Sequence, residues 1–178
     1  MIPSQLSIRK ATVKDAALIA SFGARTFEEA FGSQNTREDM DEYLSSSFNQ
    51  DDIRSQLLDR SSNYLLAYKA TTLVGYSMLH SGDAPDAVSG SKPIELVRIY
   101  IDRIHMGKGY GSRLMEACIE TAAESDHDVI WLGVWRKNES AIAFYGKWGF
   151  KKVGVKEFAL GSDVQHDFIM ERRVNLAT

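Results

Sequence analysis

The chain has 178 residues, 44% of them hydrophobic and 25% charged, which is enough for one globular domain spanning residues 1–178 and short for two. A net charge of −3 and a pI near 5.8 argue against a nucleic-acid binder that works through a broad basic face. No apolar run approaches the roughly 20 residues of a membrane span, and the first ten residues lack a signal-peptide core, so a cytoplasmic protein without a membrane partner is expected.

Leu6, Ile8 and Ala11 begin a short strand, and residues 13–31 carry apolar side chains at helical spacing. Asn35 or Thr36 caps a second helix through Leu44, with Glu38, Asp39 and Asp41 near its positive end. Asp51 caps a third, through Leu58. Residues 63–69 and 73–80 read as strands joined by a turn at Ala70, Thr71 and Thr72. Residues 81–92, rich in Gly, Ser, Asp and Ala with a proline at 85, read as a loop beside the site and as the place for a flexible lid.

A strand over residues 95–101 then delivers a glycine loop, Gly107-Lys108-Gly109-Tyr110-Gly111-Ser112, to an amphipathic helix ending at Glu124. A strand at 129–134, a helix at 139–147 and strands at 151–158 and 166–172 complete the chain. The order implies an α/β (α+β) fold: a mixed central sheet of about seven strands with helices on both faces. The strand–helix–strand units require a crossover and the hairpins give antiparallel pairs.

The glycine loop is an anion site in outline. The first N–H groups of a helix have no intrahelical partner and lie at the positive end of its dipole, so a phosphate can bind on backbone alone. Glycines at alternate positions keep Cβ atoms away from a bulky diphosphate. No Gly-Lys-Ser/Thr follows, so this is not a P-loop, and the dinucleotide fingerprint fails because Ser112 or Leu114 would take its third glycine. Lys108 either pairs with a phosphate or is a solvated loop lysine. Cys118, the single cysteine, shares the apolar side of its helix with Leu114, Met115 and Ala122 and reads as a core thiol. His80, His105, His127 and His166 lack metal-ligand spacing, so no metal is expected.

Taken with the segment from Trp135 to Phe150, the loop resembles that of the GNAT superfamily of acetyl-CoA-dependent N-acetyltransferases. In that family an aliphatic residue ends the central strand, here Ile101, and the coenzyme loop follows as Gln/Arg-x-x-Gly-x-Gly/Ala, here Met106 to Gly111. Asn138, Ala141, Phe144, Tyr145, Gly149 and Phe150 fall into the family's Asn-x-x-Ala-x-x-Phe-Tyr-x-x-x-Gly-Phe segment. The stretches from Thr26-Phe27 through Phe31-Gly32, at Asn35-Thr36, residues 95–101, residues 131–135 and Leu160-Gly161 are similar to the PaiA-like branch, which acetylates spermidine and spermine. Met106 departs from the family's polar residue and leaves more of the pyrophosphate binding to backbone.

The resemblance implies that acetyl-CoA is the cosubstrate and a small amine the acceptor. It also implies that the strand at Ile99, Tyr100 and Ile101 is splayed from its neighbour, with backbone free for the pantetheine arm. Met106, Gly107, Lys108, Gly109, Tyr110, Gly111 and Ser112 would then hold the pyrophosphate, and Tyr145 would stand beside the coenzyme sulfur as general acid, unless it is only a packed tyrosine facing the sheet beside Phe144. Asn138 caps the next helix, contacts the coenzyme, or does both. An alkylamine with a pKa near 10.4 is about 0.04% neutral at pH 7, so attack on a thioester also needs a proton acceptor. Glu95, six residues before Ile101, occupies a place where some members carry a general base. Strand alternation sets it with Val97 and Ile99, half-buried as suits such a base; otherwise it is a solvated glutamate at the strand start or a partner for Arg98 or another cation. Water leading to bulk solvent is the alternative acceptor.

Gly133 shares a strand face with Trp131 and Trp135 and leaves space for the pantetheine arm. Trp131 itself reads as core. Glu28, Glu29, Asp39, Asp41 and Glu42 form an acidic run that either receives a polyamine or is a solvated face. Two other functions stay open: acetylation of protein lysines or N-termini, and a non-catalytic acetyl-CoA-binding module. A homodimer is open as well.

Overall fold

A computed structural model describes residues 6–174. Its elements follow in the order β1 (Leu6–Lys10), α1 (Ala16–Phe31), α2 (Arg37–Ser47), α3 (Gln50–Leu58), β2 (Ser62–Lys69), β3 (Thr72–His80) and β4 (Pro93–Ile101). Then come α4 (Tyr110–Glu124), β5 (Val129–Trp135), α5 (Glu139–Lys147), β6 (Lys151–Leu160) and β7 (Asp163–Arg173). The seven strands form one mixed sheet in the order β1-β2-β3-β4-β5-β7-β6. Only β4 and β5 pair in parallel, because α4 supplies the crossover that a parallel pair needs.

Alternation along the strands gives the sheet two apolar faces. On one, Leu114, Met115, Cys118 and Ala122 of α4 and the inner side of α5 pack against Leu79, Ile94, Leu96, Ile130, Leu132 and Met170. On the other, Ile19, Phe22 and Ile53 of α1 and α3 meet Tyr64, Leu66, Tyr76 and Met78, while Phe27, Met40, Phe48 and Leu160 close a third cluster with α2. Completely buried side chains such as Leu114 and Ile53 each contribute on the order of 1.5–3 kcal/mol of transfer free energy.

The expected element order holds, with four local corrections. Residues 13–15 form a 3-10 turn, so α1 starts only at Ala16. There Asp15 is buried against the Arg9 guanidinium at 2.8 Å, a contact that holds its carboxyl down at about 2. Thr36 is the cap of α2, its hydroxyl accepting from Asp39 N at 3.2 Å, and the helix runs to Ser47 rather than Leu44. Asn49, not Asp51, caps α3, because its Oδ1 already accepts from Asp51 N at 2.8 Å and Asp52 N at 3.3 Å. Asp51 therefore lies inside the first turn.

The fourth correction is the loop at 81–92. It lies at the opposite end of β4 from the glycine loop, and its later half is tied down. Asp128 accepts from Ser91 N at 2.7 Å and Lys92 N at 3.0 Å. Glu171 accepts from Ser89 N at 2.6 Å and Ser89 Oγ at 2.7 Å, and Lys92 pairs with Asp126. A segment with its backbone donors so engaged is a strap rather than a lid.

Candidate active site

The parallel pairing of β4 with β5 is short. It joins Pro93 to Val129, Ile94 to Ile130 and Glu95 to Trp131, and no pair follows, although the two strands continue to Ile101 and Trp135. Beyond Glu95 the strands part and leave a gap whose edges, including Ile99, Tyr100 and Ile101, carry backbone N–H and C=O groups free of a ladder partner across it. The splay implied for this strand is present.

At the far end of β4 the chain turns through Arg103–His105 into the glycine loop and α4. Gly107 and Gly109 have φ of +73° and +80°, a left-handed conformation that costs other residues roughly 1–2 kcal/mol, and a Cβ at either would meet nothing within 4 Å. Gly109 is the cap residue of α4 and supplies no side chain to its first N–H groups, which are left for an anion. Met106 and Ser112 are exposed beside it, and Tyr110 is half-buried. Gly111 differs from the other two. It lies in the first turn of α4 with ordinary φ, and a Cβ there would make normal contacts at 3.7–3.8 Å with Ile101 and Phe144. Lys108 is exposed, and its Nζ donates to Ile104 O at 3.0 Å.

Tyr145, on α5, is half-buried against Phe144 and Phe150, with ring centroids 5.6 and 5.8 Å away. Burial pushes its phenol well above the ordinary value, and nearby Cys118 adds to the shift. The group is thus a protonated donor at neutral pH. It lies within electrostatic reach of Tyr100 on β4. Asn138 caps α5, its Oδ1 accepting from Ala141 N at 3.2 Å, which is the capping half of its expected role. Cys118 is core: fully buried, donating to Ser77 Oγ at 3.1 Å, its thiol pushed up to about 12 by burial.

Glu95 is on a different face from the one alternation assigns. Met78 pairs with Arg98 but Leu79 with Leu96, so Val97 is an extra residue in β4 and the side-chain phase reverses across it. Ile94, Leu96, Ile99 and Ile101 face α4, whereas Glu95 points with Arg98 and Tyr100 towards the α1–α3 side. Glu95 is half-buried, as expected, with Lys156 Nζ 3.6 Å from its Oε1.

Gly133 is also filled differently from expectation. A Cβ there would stand 2.5 Å from Lys156 Cε, 3.0 Å from its Nζ and 3.3 Å from Asp167 Oδ2. The missing side chain makes room for a lysine from β6. That lysine also lies 5.2 Å from the ring centre of Trp131, whose own burial at 4% exposure fits the core reading. Asp167, opposite Lys156 in the β6–β7 register, is 7% exposed; burial raises its pKa, Lys156 opposes the shift, and its Oδ1 has no hydrogen-bond partner.

Most of the acidic run is already engaged. Glu28 and Asp41 pair with Arg37, and Glu29 with Arg25. Asp39 turns inward, held in its charged form by Thr36 and by Ser162, whose N and Oγ donate to it at 2.7 and 2.9 Å. Glu28, Glu29 and Asp41 are thus held in exposed ion pairs, and Asp39 is an inward contact between α2 and the β6–β7 turn. Among the described residues no group of three or more His, Cys, Asp or Glu is placed to hold a metal, and no helix is long and apolar enough to cross a membrane.

A profile of the acetyltransferase (GNAT) family matches residues 24–150, a span that holds the glycine loop, both edges of the gap and Tyr145. The chain belongs to the GNAT family. An uncharacterised N-acetyltransferase of Mycobacterium tuberculosis is 32% identical to it over 160 residues, 90% of this chain and 98% of the relative. The spermine/spermidine N(1)-acetyltransferase of Bacillus subtilis is 30% identical over 92 residues, 51% of this chain and 60% of that protein. Among solved structures, the PaiA N-acetyltransferase of Thermoplasma acidophilum in complex with coenzyme A superposes with a TM-score of 0.76 at 19% identity, covering 95% of this chain and 99% of that one.

As a GNAT acetyltransferase, the chain carries a main-chain gap, an uncapped helix N-terminus and a protonated phenol in one neighbourhood. It also carries two charged residues that the sequence reading passed over, Lys156 and Asp167. The signal available was an acidic residue inside a strand, at position 167, directly before a run of apolar ones. Without the register that sets it opposite Lys156 and Trp135, that signal points to no partner.

Proposed function

We propose that this GNAT protein moves an acetyl group from acetyl-CoA to the primary amine of a small cationic acceptor, with a polyamine of the spermidine or spermine kind as the leading candidate. The observation that carries this reading is the end of β4–β5 pairing at Glu95 and Trp131, which leaves a gap for an extended ligand arm. The α4 N-terminus with its open glycine positions stands at the end of β4. Acetyl-CoA supplies an activated acetyl thioester, and its diphosphate matches the free N–H groups behind Gly107 and Gly109. Backbone of Ile99, Tyr100 and Ile101 holds the arm in the gap. Loop residues Met106 to Ser112 hold the diphosphate mainly through main chain, with Lys108 free to exchange Ile104 O for a phosphate and Asn138 able to donate through its amide while its oxygen caps α5.

Tyr145 acts as general acid, since a phenol kept neutral by burial can donate as negative charge develops on the leaving sulfur. Glu95 accepts the acceptor's proton, directly or through water. The polyamine branch draws support from the named Bacillus subtilis relative, from the Glu95 carboxylate at the start of the gap and from the Asp167 carboxyl beside Gly133.

The test is thiol release from acetyl-CoA with a panel of spermidine, spermine, free amino acids and a lysine-containing peptide. Release with the polyamines at the lowest acceptor concentration is the expected result. Release only with the peptide would move the acceptor to protein, and upward-shifted melting with acetyl-CoA but no release with any amine would make the chain a binding module.

A further inference from the structure

Lys156 is an unusual resident of this sheet. Its ammonium lies 3.6 Å from Glu95 Oε1 and 5.2 Å from the Trp131 ring centre. Its end fills the space above Gly133, beside Asp167. Glu95 and Trp131 are the last pair before β4 and β5 part, so this cation stands at the vertex of the gap. We propose that the Lys156 ammonium is an internal occupant of the acceptor-amine subsite formed by Glu95, Asp167 and the face of Trp131, and that a primary amine binds by displacing it. The proposal rests on the transferase reading for the meaning of the gap, but not for the chemistry of the subsite.

Three observations carry it. Nζ has the Glu95 carboxylate and the face of Trp131 beside it, with the Asp167 carboxyl across the space above Gly133, and these are groups that recognise an alkylammonium. The occupant is loosely held, because 3.6 Å exceeds hydrogen-bond length and the lysine side chain keeps 30% of its surface exposed, which gives it a way out to solvent. The subsite also has unused capacity. Asp167 is more than nine-tenths buried, yet its Oδ1 has no partner, an expensive arrangement unless a donor arrives. Exchange of one ammonium for another preserves the local charge, so displacement does not leave the Glu95 carboxylate uncompensated. It also removes the cation that, among the described residues, pairs with Glu95 and leaves that carboxylate facing the incoming amine.

The test is calorimetric titration of n-butylamine into the wild-type protein and Lys156→Met, which keeps an apolar stem over Gly133 and removes the charge. If Lys156 holds the site about nine-tenths of the time, the apparent affinity of the wild type is reduced by that occupancy, and the variant binds roughly tenfold more tightly. Lys156→Arg should stay as weak as the wild type. Adding Asp167→Asn to Lys156→Met should erase the gain. Equal or weaker binding by Lys156→Met, with unchanged melting, overturns the proposal, as does a gain that survives Asp167→Asn. Should Lys156→Met fail to fold, Lys156→Gln keeps a polar end beside Glu95 without the charge and carries the same expectation. Because the readout is binding, a wild type that releases no thiol would defeat the transferase reading while the amine titration still decides the subsite.

Discussion

The gap between β4 and β5 and the cluster above Gly133 meet at one pair of residues, Glu95 and Trp131, but are built from different material. The gap and the α4 N-terminus are lined by main chain from consecutive residues, with Gly107 and Gly109 needed for their left-handed φ. The cluster is lined by single side chains from four strands, Glu95, Trp131, Lys156 and Asp167, up to 72 residues apart in sequence. A main-chain site must write its requirement into adjacent positions, so a short spacing betrays it. A side-chain site is assembled by register, and each contribution looks like an ordinary strand residue until the sheet is known.

The sharpest way to break this contrast is Tyr145→Phe. It removes one oxygen from α5 and nothing from the main-chain surfaces, so acetyl-CoA affinity should stay within a few fold while kcat falls by about 10²–10⁴, the range of a positioned acid. A large loss of affinity with unchanged kcat would place Tyr145 with the binding surfaces and leave catalysis to other groups.

What was legible follows the same division. The element order, the glycine loop and the splay after Glu95 were accessible because they depend on local spacing or on a segment that resembles a known family. The face of Glu95 was not, because one extra residue at Val97 reverses the alternation, and a bulge has no signature in a strand of apolar residues. The strap at 81–92 looked free because its partners, Asp128 and Glu171, lie far along the chain. Asp39 looked like the rest of the acidic run for the same reason: it meets Ser162 only when the β6–β7 turn folds over α2.

Next in size is the comparison of Gly109→Val with Gly111→Ala. At φ +80° a β-branched residue is strained, and its side chain projects from the loop that opens α4. Acetyl-CoA affinity should fall roughly tenfold or more, about 1.4 kcal/mol, and the acetyl-CoA-induced rise in melting temperature should shrink with it. Gly111→Ala should instead stabilise the protein by about 0.5–1 kcal/mol, since it replaces a helical glycine where the new methyl meets only ordinary contacts, and binding should stay within threefold. Equal loss of binding in both variants would mean that Gly111 too is required by the ligand and not by the helix.

The smallest effect concerns α3, on the same side of the sheet as the side-chain cluster, where two neighbouring residues carry the same local signal. Asn49 and Asp51 both suit a helix start, but only Asn49 offers its side-chain oxygen to the first free N–H groups, those of Asp51 and Asp52. Losing that cap should cost about 1 kcal/mol, or about 2–4 °C in melting temperature for a chain of this size. Helix α3 also drives Ile53 into the core and donates no slack there, since Ile53 is fully buried. Asp51, exposed in the first turn, contributes through the helix dipole, an effect of about 0.3–1 kcal/mol that salt screens. Thermal melts of Asn49→Ala and Asp51→Ala at low and high salt should therefore separate: the Asn49 deficit persists in salt because it is a lost hydrogen bond, and the Asp51 deficit fades because it is a lost charge. A salt-resistant loss at Asp51 larger than that at Asn49 would return the cap to Asp51 and show that the local pattern alone had placed it correctly.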